Sequence, residues 1–132
     1  MLYHCIMTCF WDGILKRLNE NDFKKYKVPK PNNIQFVLFL KKNNCKTSRV
    51  KWNNESLTKK QLEENFTHVK DFDSNSIRHG YLCSTFEPFL FLTSQLFQVN
   101  IHHNFCGHVM KYTYNNDERV LKFHSNRSHF SA

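Results

Sequence analysis

A thiol becomes a nucleophile only where its thiolate is stabilised and a base stands ready to take the proton. The chain holds Cys5, Cys9, Cys45, Cys83 and Cys106. Cys9 stands just ahead of Phe10 and Trp11 in MTCFWDGILKRLN, and Ile14, Leu15 and Leu18 follow at helical spacing. Thr8 reads as a cap, so the pattern predicts a helix over 10–19 with Cys9 at its start. The unpaired N–H groups of a helix start would favour an anion there. Cys83 also precedes a helical pattern, but Ser84 is the better cap. Cys45 falls in a polar turn and Cys106 in a hairpin turn. The competing reading of Cys9 is a buried thiol that acts as a small hydrophobe.

The base for such a thiol would be a histidine. Of the eight, His129 is distinctive, because it trails the final strand pattern in SNRSHFSA beside an aromatic residue. A first helix and a closing strand can meet in space across that sequence distance. A different chemistry would draw on Cys5-x3-Cys9 with His102, His103, Cys106 and His108 as zinc ligands. The spacing departs from a Cys-x2-Cys pair, so neither metal nor cofactor is expected.

The elements that must position these groups follow from periodicity. After the first helix, residues 20–33 are polar and carry Pro29 and Pro31, which predicts a connector. IQFVLFLKK, at 34–42, fits a buried helix or a strand, and the lysine pair at its end favours the helix. NNCKTS is a turn, and Val50 and Trp52 alternate with charges as a short strand. Thr58-x-x-Gln61 is a capping box for a helix with Leu62, Phe66 and Val69 on one face, and Asp71 to His79 reads as a loop. Ser84-x-x-Glu87 reads as a second capping box, with Pro88 in the first turn of a helix that runs to about Phe97. Phe89, Phe91 and Phe97 fall at core spacing, and Gly80 marks a backbone need such as positive φ. The period then switches to two at Val99 and Ile101, at Met110, Tyr112 and Tyr114, and at Leu121 and Phe123. Turns at Gly107 and at Asn115 to Asp117 complete an antiparallel meander. The layout is α+β: helices on the N-terminal side packed on a small antiparallel sheet, in one domain over 1–132.

The bulk numbers bound the rest. The chain has 132 residues, 13 of them Phe, and a hydrophobic fraction of 40%, which supports one packed core. Its formal charge of +8 favours acidic partners, RNA among them, but the Lys and Arg are dispersed and no aromatic-basic RNA signature is present. An odd cysteine count and no early basic-then-apolar run predict a reducing, cytoplasmic setting without disulfides. No apolar run approaches the length of a membrane span.

Cys9-Phe10-Trp11 with Ile14 and Leu18 resembles the cysteine-aromatic helix of the ovarian-tumour-type (OTU) cysteine proteases. Gly80-Tyr81, Glu87, Leu90, Leu96, Val99 and Ile101 resemble that fold's second helix-strand block, and His129-Phe130 its closing histidine-aromatic pair. WNNESLTKKQLEENFTHV, GYLCSTFEPFLFLTSQLFQVNI and LKFHSNRSHF resemble the carlavirus-type endopeptidase region in replicase polyproteins of filamentous plant RNA viruses. The resemblance implies a papain-type fold and a thiol protease that cuts its replicase polyprotein in cis in the host cytoplasm, with host ubiquitin as a further substrate. Cys9 would be the nucleophile, His129 the base, and the N–H groups of Met7 to Cys9 the oxyanion donors. Ile6-Met7-Thr8 departs from the family's acidic or amide residue before the cysteine. Ser131 replaces its Asp or Asn after the histidine, leaving Ser131 or Asn126 to orient His129. Cys45, upstream of the densest matching block, is the alternative nucleophile. The alternatives in function are an OTU-like interaction module without efficient catalysis and a basic RNA-associated replicase domain.

Overall fold

The computed structural model describes residues 2–126 and 129–132, with side chains from Thr8 onward. Helices α1 (Leu2–Arg17), α2 (Glu20–Lys24) and α3 (Asn33–Lys42) come first. A short hairpin, β1 (Lys51–Trp52) and β2 (Glu55–Ser56), leads to α4 (Lys59–Asp71) and a 3₁₀ turn (Ser74–His79). Helix α5 (Pro88–Phe97) then precedes β3 (Asn100–Phe105), β4 (His108–Thr113), β5 (Val120–Ser125) and β6 (Phe130–Ser131).

Local chemistry sets several of these boundaries. Asn19 with Asp22, Asn32 with Gln35 and Thr58 with Gln61 form reciprocal capping boxes that satisfy the first N–H groups of α2, α3 and α4. The first two were not expected, and α2 lies inside the stretch read as a connector. The expected helix over 34–42 and the Thr58 box are present. Helix α5 is capped by Glu87 itself, whose side chain accepts from the Phe89 N–H, so Ser84 is not the cap. The α5 chain ends at Gln98 in the left-handed region (φ 54°).

The strands form one mixed sheet in the order β2-β1-β4-β3-β5-β6. The expected meander is therefore corrected at one point: β5 pairs with β3, in parallel, and not with β4. The cause is the 114–119 loop, which crosses the end of β3 and is stapled there by buried Asn100. Its Oδ1 accepts from the Tyr114 and Asn115 N–H groups, and its Nδ2 donates to the carbonyls of Asn115 and Glu118. With period two, Ile101 lies opposite Tyr112 and Leu121, and His103 lies opposite Met110 and Phe123. All six are buried. They share the core with Phe10, Trp11 and Ile14 of α1, Phe36 and Leu40 of α3, and Phe89 and Leu90 of α5.

Helix α1 begins eight residues earlier than expected. LYHCIM carries no helix-stopping residue, and the Thr8 hydroxyl donates to Asp12 Oδ2 at 2.7 Å within the helix rather than capping it. Helix α1 packs against β5 and β6, and Gly13 lies against the Phe130 ring. A Cβ at Gly13 would lie 2.9 Å from Cδ1 and Cε1 of Phe130. Helix propensity alone would make Gly13→Ala stabilising by about 1 kcal/mol. Overpacking against the buried, ring-stacked Phe130 costs about 1–3 kcal/mol, so the clash wins. We expect Gly13→Ala to lower the unfolding free energy by about 1 kcal/mol in urea titration; a stabilised variant would show that β6 yields freely.

Candidate active site

The closing strand brings the C-terminal segment to Cys9. Ser125 lies opposite Phe130, and His124 opposite Ser131, so β6 folds back antiparallel on β5. The turn between them closes on itself: Asn126 N–H donates to the His129 carbonyl at 2.9 Å, and His129 N–H donates to Asn126 Oδ1 at 2.9 Å. Phe130 is buried, with ring centroids 4.9 Å from Phe10, 5.1 Å from Phe123 and 5.7 Å from His103. Its backbone N–H donates to Cys9 Sγ at 3.3 Å. Cys9, Asn126, His129 and Phe130 line one cleft of about 730 Å³.

The opposite wall comes from the stretch after the 3₁₀ turn. Gly80 sits at φ 88°, ψ 160°, a conformation that only glycine adopts without strain, and sends the chain into Tyr81, Leu82 and Cys83. His79, Tyr81, Leu82 and Cys83 line the same cleft, and Leu82 is 82% exposed. Glu87 holds this wall. Its Oε1 accepts from Ser84 N–H at 2.9 Å and from the Ser84 hydroxyl at 3.3 Å. Its Oε2 accepts from Tyr81 OH at 2.7 Å and Phe89 N–H at 3.0 Å. Tyr81 OH also meets His68 Nε2 at 2.9 Å, and the Glu87 N–H donates to the Tyr112 hydroxyl at 3.0 Å.

The cysteines differ sharply in surroundings. Burial, then the charge of Glu87, pushes the Cys83 thiol far up, so Cys83 stays protonated although it lines the cleft. Burial also raises the Cys45 thiol, which packs on the core near Tyr26 and is not among the cleft residues. Cys106 is exposed in the β3–β4 turn.

Two expectations are corrected. Cys9 is the eighth residue of α1, not a helix-start residue, so the helix dipole does not reach it. The N–H groups of Met7 to Cys9 lie within the helix and are not presented as an open oxyanion pocket. The donor that the fold offers the sulfur is the Phe130 N–H. Of the residues expected to orient His129, Asn126 accepts from its backbone N–H, and the Ser131 hydroxyl donates to the His124 carbonyl at 3.5 Å. Sequence reasoning missed His79, Tyr81 and Cys83 as wall residues; Gly80 ahead of Tyr81-Leu82-Cys83 was the available signal.

Among the described residues, no three His, Cys, Asp or Glu side chains converge as metal ligands. His102 pairs with Lys111 and Lys122, in register one residue from buried His103, and the side chain of Cys5 lies outside the described residues. No helix among the described residues is long and apolar enough to cross a membrane. The chain matches no family model, no curated protein and no solved structure.

Burial pushes the Glu87 carboxyl up to about 7 from an ordinary 4.5, against four donors that pull it down. The folded state therefore keeps this proton when the unfolded state has lost it. The stability that Glu87 contributes is full below 4.5 and is lost as pH rises to about 7. His103 works in the opposite sense: burial first, then His124, lowers its ring to about 4, so its contribution is lost as pH falls from 6.5 to 4. The wild-type curve mixes both slopes, and a comparison with Glu87→Gln separates them. We expect the difference in unfolding free energy, wild type minus Glu87→Gln, to fall by about 3 kcal/mol between pH 4.5 and 7. A flat difference would mean that the buried carboxyl is ionised throughout.

Proposed function

We propose that the chain is a thiol hydrolase of the OTU-like, papain-type class, with Cys9 as nucleophile and His129 as base. The observation that carries this reading is the Phe130 N–H on Cys9 Sγ at 3.3 Å, which seats the His129 segment beside the sulfur in a shared cleft. His129 would take the thiol proton, and the thiolate would attack a peptide carbonyl carbon. The imidazolium would then protonate the leaving amine, and His129 would activate water to release the acyl group. Exposed Leu82 and the Phe105 ring, both on the cleft, suit an extended substrate with an apolar side chain next to the cut bond. The sequence resemblance directs the substrate reading to the replicase polyprotein in cis and to host ubiquitin.

A second reading, an OTU-like interaction module without efficient catalysis, is favoured by one observation: Cys9 lies mid-helix, outside the reach of the dipole. Iodoacetamide labelling followed by mass spectrometry separates the two, with Cys83 and Cys45 as internal standards. The hydrolase reading expects Cys9 to be alkylated at least about tenfold faster than either near pH 7. It expects His129→Ala to remove that advantage and to lower hydrolysis of a peptide or ubiquitin-derived substrate by about 10²–10⁴. Slow labelling of all three at similar rates, unchanged by His129→Ala, would leave the interaction module standing.

A further inference from the structure

A second concavity, of about 380 Å³, lies between the α2–α3 connector and α3, and shares no lining residue with the Cys9 cleft. Tyr26, Val28, Pro29, Pro31, Leu38 and Phe39 make it apolar. Val28 is 39% exposed and Leu38 50%, and Ile34, 37% exposed, adds to the same region of α3. Apolar side chains exposed together in a groove are the usual mark of a binding surface.

The groove is preformed. The Tyr26 hydroxyl donates to the Leu96 carbonyl at 2.6 Å, and its ring packs edge-on to Phe39, with centroids 5.0 Å apart. Phe39 is in turn stacked on Phe97. The one charged side chain in the groove's lining is a lysine. Lys42 lines it, and the Lys25 ammonium lies 5.3 Å from the Tyr26 ring centroid. No acidic side chain lines it; Asp22 and Glu118 lie near Lys25, outside the lining. Asp22 pairs with Arg119 at 2.6 Å, and Glu20 accepts from the Lys30 N–H. Lys41, by contrast, spends its ammonium on the carbonyls of Val69, Lys70 and Phe72.

We propose that this groove docks a linear peptide segment of a partner protein in which aliphatic or aromatic anchors alternate with acidic residues. The apolar floor takes the anchors, and Lys25 and Lys42 meet the acids at its edge. Nucleic acid fits less well, because the rings of Tyr26 and Phe39 are spent on each other and on Phe97 rather than offered as stacking faces. Rigid walls keep the ordering cost of binding low. The proposal stands apart from the thiol reading and survives its failure.

The test is selection of a random peptide phage library on the full chain, with enriched peptides resynthesised and measured by fluorescence polarisation. Leu38→Asp and the Lys25→Glu, Lys42→Glu pair are suitable variants, because all three side chains are exposed, and circular dichroism checks their folding. The expected result is enrichment of sequences that combine Leu, Ile or Phe with Asp or Glu. Their affinity should fall at least about tenfold in each variant, and should fall with salt. An oligouridylate should leave the bound peptide in place. Failure to enrich, enrichment without acidic residues, affinity indifferent to Leu38→Asp, or displacement by the oligouridylate would each overturn the proposal.

Discussion

The geometry of the cleft depends on where one ring is buried. Strand β6 has only two residues, and so short a ladder cannot hold a chain end in place. What holds it is the Phe130 ring, 4% exposed, wedged between Phe10, Phe123 and the bare backbone of Gly13. Removing a buried phenyl ring costs about 3–5 kcal/mol, whereas one neutral hydrogen bond is worth about 1 kcal/mol net. Packing therefore sets the position of the segment, and the N–H to Cys9 Sγ is its consequence. The glycine in α1 is part of the same device. Without a Cβ at position 13, the helix and the ring can approach closely enough to put residue 129 at the cleft.

The facing wall is built on the opposite principle. There a polar group is buried, and the wall is organised around satisfying it. Glu87 gathers donors from Tyr81, Ser84 and Phe89, and its own N–H reaches Tyr112 on β4. Loop, helix start and sheet are thus tied through one carboxyl. The donors do not cancel the cost of burial, which is why the group sits near 7 rather than below its usual value. Burial first, and Glu87 second, also hold the neighbouring thiol of Cys83 protonated. Two cysteines face one cleft, and burial in this wall holds one of them protonated.

Much of this layout was legible in the sequence, because periodicity and capping are local. The helix over 34–42, the Thr58 box, the positive φ at Gly80 and the alternation of Tyr112, Leu121 and Phe123 could be read directly. So could the mixed α and β content. What could not be read depends on contacts between distant residues. The parallel β3–β5 pair rests on Asn100 clamping a loop fourteen or more residues away, and nothing in NDERV distinguishes a hairpin from a crossover. The start of α1 is not legible, because Thr8 is equally able to cap a helix or to bond back within one. Glu87 does accept from the Ser84 N–H as the box requires, but the cap of α5 is Glu87 itself rather than Ser84. Cys9 and His129 were both named, and the structure puts them on one cleft. The pattern predicts a helix start around Cys9; in the fold its sulfur lies mid-helix and accepts from the Phe130 N–H.

On the hydrolase reading, that difference changes when the thiol would be activated. A helix start stabilises a thiolate at all times. Cys9 has instead the Phe130 N–H, and exposed His129 lines the same cleft. An ion pair between thiolate and imidazolium is weak in water and is screened by salt. It strengthens as the local dielectric falls, and a substrate filling the cleft between Leu82 and Phe130 would expel the water that weakens it. On that reading, the filled cleft is the setting in which a charged pair would count most. A nucleophile of that kind would discriminate by fit before it reacts, because only a chain long enough to cover both walls would dry the site.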